Sequence, residues 1–197
     1  MSEQIIVNKN ANAEEIYSAL IPQINALINS DEPVISNLAN LTAVLKDAFD
    51  KISWVGFYLL KDDKLFLGPF QGKVACTIIE IGKGVCGTSA QNRETIIVDD
   101  VDSFPGHIAC DEGSKSEIVI PLIQNEKLIG VLDLDSYEYS SFNEIDQAYL
   151  VRICRTLVDK LNFTNFTHLN QFNSEQYLQV NLKDFIIIIE ISLEYSG

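Results

Sequence analysis

Apolar positions recur along this chain with two different periods. Between Asn12 and Asn29, Ile16, Leu20, Ile24, Leu27 and Ile28 keep the spacing of one helix face, although Pro22 is set to kink or divide the segment. A second helix is predicted from about Pro33 to Asp50, with Val34, Leu38, Leu41, Leu45 and Phe49 on one side. A third runs from about Asn143 to Leu161, striped by Ile145, Tyr149, Ile153, Leu157 and Leu161, with acids at its start that suit the helix dipole.

Between the second and third helices the period shortens to that of strands. SWVGFYLLKDDKLFLGPF reads as a hairpin turning over Lys61 to Lys64, and SEIVIPLIQNEKLIGVLDLDS as another turning at Asn125 and Glu126. ACTIIEI, which holds Cys76, and TIIVDDV read as further strands. The glycines of GKGVCGTSA suggest a loop entering a short helix, and PGHIACDEGSKS reads as a long loop. Helices, then an antiparallel sheet, then a closing helix predict an α+β domain of two or three layers over residues 1–161. Residues 162–197 differ. They are polar and Asn-rich, then turn to the strand-like run KDFIIIIEISLEY, and are taken as a C-terminal extension.

Side chains alternate across a strand, so each strand divides into two faces. One face collects Val55, Phe57, Leu59, Ile118, Ile120, Leu122, Leu132 and Leu134, a core. The other collects Trp54, Tyr58, Glu117, Asp133 and Asp135, with Gly56 leaving a gap between the two aromatics. Either this second face is solvated, as one side of an antiparallel sheet often is, or it floors a chamber with aromatic walls and three carboxylates. A chamber of that kind favours a cationic or ammonium-bearing ligand, and crowded carboxylates raise one another's pKa until one holds a proton near neutrality.

Charge narrows the partners. The 197 residues carry 28 acidic and 14 basic side chains, a net of −14, which disfavours nucleic acid and anionic membranes. The N-terminus lacks the basic and apolar regions of a signal peptide, and no apolar run approaches a membrane span, so a cytoplasmic protein is expected. Four cysteines in that setting suggest thiols, metal ligands or redox groups before a disulfide framework. Cys154, beside the stripe of the last helix, reads as a buried thiol. For Cys76, Cys86 and Cys110 the residues alone leave three readings open. They could be small buried hydrophobes, or a zinc site with His107 as partner, although no C-x2-C pair anchors one. They could also be redox thiols, with Cys86 activated by a helix start and Cys110 carried by a loop. His107, after Pro-Gly, either orders its loop or moves protons.

The segments WVGFYLL, LGPFQGKVACTIIEIGKGVCGTSA, VDDVDSFPGHIACDEGSKSEIVIPL and GVLDLDS together resemble one family, the GAF-domain free methionine-(R)-sulfoxide reductases, over roughly residues 10–161. The resemblance implies a GAF fold and reduction of the free amino acid methionine (R)-S-oxide, with electrons from thioredoxin and no cofactor. Carried over by position, it implies Cys110 as nucleophile, Cys86 as the cysteine that forms a disulfide with it, and Cys76 as an auxiliary third. It implies Trp54 and Tyr58 around the methyl-sulfinyl end of the substrate, and Glu117, Asp133 and Asp135 as the carboxylates that hold the substrate and assist the chemistry. No metal is implied. Residues 162–197 have no counterpart in the family pattern, and a homodimer stays open. The chief rival is a non-catalytic GAF module that binds a small ligand, in which the cysteines would be dispensable.

Overall fold

Two hairpins organise the sheet. In the first, β1 (Trp54–Lys61) and β2 (Lys64–Gln71) turn through Asp62 and Asp63, both at positive φ. In the second, β5 (Ser116–Gln124) and β6 (Lys127–Ser136) turn through Asn125 and Glu126, again both at positive φ, the backbone that a two-residue hairpin requires. Both turns fall where the polar breaks in the sequence predict them. The hairpins join through β1 and β6, and the short strands β3 (Ile78–Glu80) and β4 (Ile96–Val98) close the edges, giving the order β3-β2-β1-β6-β5-β4 with every pairing antiparallel. The computed structural model describes residues 5–108 and 110–163, which lie in one unit reaching Phe163. The strand-like run expected near residues 185–195 falls outside the described residues.

Helices cover both faces. On one side α2 (Val34–Ala48) and α4 (Glu144–Lys160) bury Leu41, Leu45, Ile153 and Leu157 over the face carrying Val55, Phe57, Ile118 and Leu134, and α1 (Ala13–Leu27) packs on these two helices with Leu20 and Ile24 buried. On the other, α3 (Gly84–Asn92) and two loops cover Tyr58, Val119 and Val131. The result is the α+β sandwich that the periodicities predict. Among the described residues no helix is long and apolar enough to cross a membrane.

Four local expectations change. Pro22 lies on the exposed side of α1, which runs on through it. Cys76 is outside any strand, because only Ile78 to Glu80 of ACTIIEI pair with β2. Only Ile96 to Val98 of TIIVDDV form a strand, followed by a turn of 3-10 helix at Val101–Ser103. In α4 the buried face is Asp146, Leu150, Ile153, Cys154, Leu157 and Val158, while Ile145 is 40% exposed. The cause is Asp146. Its Oδ2 accepts from the Asn143 N–H at 3.0 Å as half of a capping box, and its Oδ1 accepts from the Tyr17 hydroxyl at 3.0 Å and Lys51 Nζ at 2.7 Å. A fully buried carboxylate with that many donors fixes the rotation of the helix more firmly than one isoleucine can.

Candidate functional site

The register decides between the wet face and the chamber. Asp135 on β6 lies opposite Trp54 of β1 and Glu117 of β5, and Asp133 lies opposite Gly56 and Val119. The three acids and two aromatics therefore share one patch of sheet. It is covered: Trp54, Tyr58, Glu117 and Asp133 are buried and Asp135 half-buried. These five residues, together with Cys86, His107, Cys110 and Ser114, line a single pocket between the sheet, α3, the loop 72–77 and the segments 104–108 and 110–115. The chamber reading holds, with one change. Gly56 does not leave a void, because the Trp54 indole lies across it, and a Cβ at position 56 would run into that ring. The indole is fixed there by stacking on Phe70 at 5.5 Å and by donating from Nε1 to the Lys73 carbonyl at 3.1 Å.

The cysteines divide differently from the implied pairing. Cys110 is joined in a disulfide to Cys76, across 34 residues of sequence, and Cys86 is a free buried thiol. The fold gives a reason. Cys86 sits in the first turn of α3, inside the pocket wall, with its Sγ 3.9 Å from Glu117 Oε1. Cys76 lies in the loop after β2, and that loop is drawn to the loop of Cys110 by polar contacts. Lys73 Nζ lies 3.3 Å from Asp111 Oδ2 and 4.9 Å from the Tyr137 ring centroid, and the Tyr137 hydroxyl donates to Asp111 Oδ2 at 2.8 Å. The Tyr58 hydroxyl also donates to the Cys76 carbonyl at 3.1 Å, linking that loop to the floor. Cys154 is buried in α4, as expected.

Burial sets the electrostatics. Glu117 has its pKa raised well above the ordinary range, first by desolvation and then by Asp133 and Asp135. Desolvation pushes Asp133 up to about 6 and, with the charge of Asp133, raises Asp135 strongly, although a hydrogen bond from Ser114 partly opposes the latter. At neutral pH the patch therefore holds protons among its three acids instead of three charges. Cys86 is raised as well, by burial first and by Asp133 and Glu117 next, so the helix start does not make it a thiolate as its glycine-rich surroundings suggested. At the mouth the trend reverses. Asp111 is held below the usual carboxylate range, first by the Gly113 N–H at 2.9 Å and then by Tyr137 and Lys73. Burial lowers the pKa of His107, whose backbone N–H closes a turn onto Phe104 at 3.1 Å, so the imidazole is neutral near pH 7.

Lys73, Asp111, Ser114 and Tyr137 escaped the sequence reading. Asp111 carried a signal in its position beside Cys110, but a lysine and a tyrosine in two other segments become its partners only through the sheet topology.

A six-stranded antiparallel sheet, helices on both faces and a pocket over the central strands define a GAF domain, and the chain belongs to that family: the GAF domain model matches residues 38–161. Among its relatives, the chain is 43% identical to the free methionine-R-sulfoxide reductase of Escherichia coli (strain K12) over 79% of its own length and 94% of the relative's. It is 51% identical to GAF domain-containing protein A of Dictyostelium discoideum, over 80% of this chain and 99% of that one. The solved free methionine-R-sulfoxide reductase of Neisseria meningitidis, in complex with its substrate, superposes with a TM-score of 0.75 at 43% identity, covering 80% of this chain and 95% of that one.

Proposed function

We propose that this protein reduces free L-methionine (R)-S-oxide to methionine, with Cys110 as nucleophile and Cys76 as the thiol that resolves it. The observation that carries the reading is the Cys76–Cys110 disulfide beside an acid-lined aromatic pocket, in a chain whose relatives include reductases of that substrate.

Reduction of a sulfoxide needs a thiolate to attack sulfur and a proton on oxygen, because oxide alone is a very poor leaving group. In this reading Cys110 forms a bond to the substrate sulfur while a carboxylic acid of the patch protonates the sulfoxide oxygen. The protonated oxygen then migrates to Cys110 as hydroxyl while the substrate's S–O bond and the newly formed bond between the two sulfurs both break, and the electron pair left on the substrate sulfur makes the thioether, so the products are methionine and a sulfenic acid. The Cys76 thiol then attacks the sulfenic sulfur, water departs, and the disulfide forms. An external dithiol, thioredoxin in our proposal, returns both cysteines to thiols by exchange.

The pattern of protonation supports the chemistry. A nucleophilic thiolate would be disfavoured by three charged neighbours, but the upward shifts of Glu117 and Asp135 leave them as proton donors, and Asp133, titrating at about 6, is charged at neutral pH to meet the substrate ammonium. Trp54 and Tyr58, at a ring separation of 6.0 Å, offer an apolar flank for the methyl group. The test is oxidation of NADPH with thioredoxin, thioredoxin reductase and separate R and S epimers of free methionine sulfoxide. The R epimer should be consumed and Cys110→Ser should be inactive; equal activity of Cys110→Ser and wild type, or no turnover of R, would refute the proposal.

A further inference from the structure

Cys86 stands outside the Cys76–Cys110 disulfide, yet it is buried in the pocket wall with its thiol turned toward two acids. Cys86 Sγ, a Glu117 carboxylate oxygen and an Asp133 carboxylate oxygen all lie within 4.8 Å of one another, and all three residues are buried. Asp133 Oδ1 is a buried acceptor with no hydrogen-bond partner, a cost that a folded protein normally removes. The three side chains come from separate elements, α3, β5 and β6, so the cluster is made by the tertiary fold and not by a local turn.

We infer that Cys86, Glu117 and Asp133 form a binding site for a divalent ion of the zinc and cadmium class. One thiolate with two carboxylates matches a borderline-soft ion, whereas magnesium or calcium would choose oxygen ligands alone. In a tetrahedral zinc site the sulfur and oxygen ligands are about 3.5 Å apart, given bonds of about 2.3 Å to sulfur and about 2.0 Å to oxygen. The Cys86 to Glu117 separation of 3.9 Å is close to that value before any side chain moves. Binding changes no oxidation state: the Cys86 S–H and the carboxyl protons pass to solvent, and the ion takes their place, supplying the positive charge that lets three anionic ligands coexist out of water. The fourth position faces the pocket, where water or a small ligand can complete the coordination. The disulfide leaves all three ligands untouched, so the site exists in the oxidised protein. If the pocket also takes the sulfoxide, as proposed above, the ion and the substrate exclude each other, and metal becomes a reversible brake on the enzyme.

The experiment uses the full chain with the Cys76–Cys110 disulfide intact, chelator-treated and then titrated with cadmium, following the ultraviolet thiolate-to-cadmium charge-transfer absorption. One ion per chain is expected. The band should vanish in Cys86→Ser, a near-isosteric change, and binding should weaken about tenfold or more in Asp133→Asn and Glu117→Gln. No band in the wild type, or a band that survives Cys86→Ser, overturns the site. Free methionine (R)-S-oxide added to the cadmium-loaded protein should erase the band. A band unmoved by saturating sulfoxide, in a protein that still turns that substrate over when metal-free, overturns the mutual exclusion and leaves the proposed activity intact.

Discussion

Replacing Asp133 with asparagine should stabilise the fold while it damages the site, and the gain should depend on pH in a way that identifies its cause. Asp133 titrates at about 6 in the folded chain instead of its ordinary 3.8, chiefly because it is desolvated. A folded-state pKa above the unfolded one means that the folded chain holds the proton more tightly. Its relative stability is therefore intact below about pH 4 and is lost as pH rises through about 6. Completed at pH 7.5, that loss amounts to about 3 kcal/mol, at roughly 1.4 kcal/mol per tenfold change in proton affinity. Asparagine keeps the shape and removes the ionisation, but its amide must be satisfied in the same confined space, which offsets about 1 kcal/mol at every pH. The net expectation for Asp133→Asn is a gain of about 2 kcal/mol at pH 7.5, or about 4–8 °C in Tm for a chain of this size, and no gain at pH 4. Urea unfolding of chelator-treated protein at the two pH values measures it. An asparagine variant less stable than wild type at pH 7.5, or one whose advantage is equal at both, would refute the reasoning, because either result means that Asp133 carries no burial penalty. The same variant should lose at least tenfold in kcat/KM, since the charge that meets the substrate ammonium is gone.

The remaining expectations concern the thiols, the loops and the frame. Cys76→Ser should perform a single turnover, measured as one methionine released per chain, and fail in the thioredoxin-coupled steady state, whereas Cys86→Ser should keep cycling; the reverse result would restore Cys86 as the resolving thiol. Tyr137→Phe and Asp111→Asn, which loosen the contacts between the two cysteine-bearing loops, should slow disulfide formation and prolong a dimedone-reactive sulfenic acid, while methionine release in the first turnover stays unchanged. Gly56→Val should displace the Trp54 indole and cost about 1–3 kcal/mol, as overpacking does, with a loss of Trp stacking visible in near-ultraviolet circular dichroism. Asp146→Ala should cost about 3–5 kcal/mol in chemical denaturation, because it strands Lys51 and Tyr17 and removes the α4 capping box.

Those differences trace what the chain can and cannot disclose by itself. Strand alternation put Trp54, Tyr58, Glu117, Asp133 and Asp135 on one face, and the register confirmed it, because side-chain direction along a strand is a local property with a period of two. Hairpin turns were legible for the same reason: Asp62-Asp63 and Asn125-Glu126 break two apolar runs at the points where positive φ is required. Whether that face was wet was not legible. Coverage depends on α3 and two loops whose positions follow from long-range packing.

The rotation of α4 and the pairing of the cysteines both turn on polar contacts between distant segments. In α4 the apolar pattern pointed to Ile145 as an inward position, and Asp146 is buried instead because donors from α1 and from the segment before β1 converge on it. Among the cysteines, the resemblance implied Cys86 as the partner of Cys110, whereas the fold joins Cys110 to Cys76 where contacts between Lys73, Asp111 and Tyr137, three residues with no mutual signal in the chain, draw the two loops together. Periodicity reports apolar burial and says little about polar groups that are buried because partners from distant segments meet them. In this fold those polar groups also separate the free thiol from the disulfide pair by environment. Cys86 is held as a thiol by its burial first and by the acids around it next, while Cys76 and Cys110 are joined by loops whose carboxylate, Asp111, stays ionised near the surface.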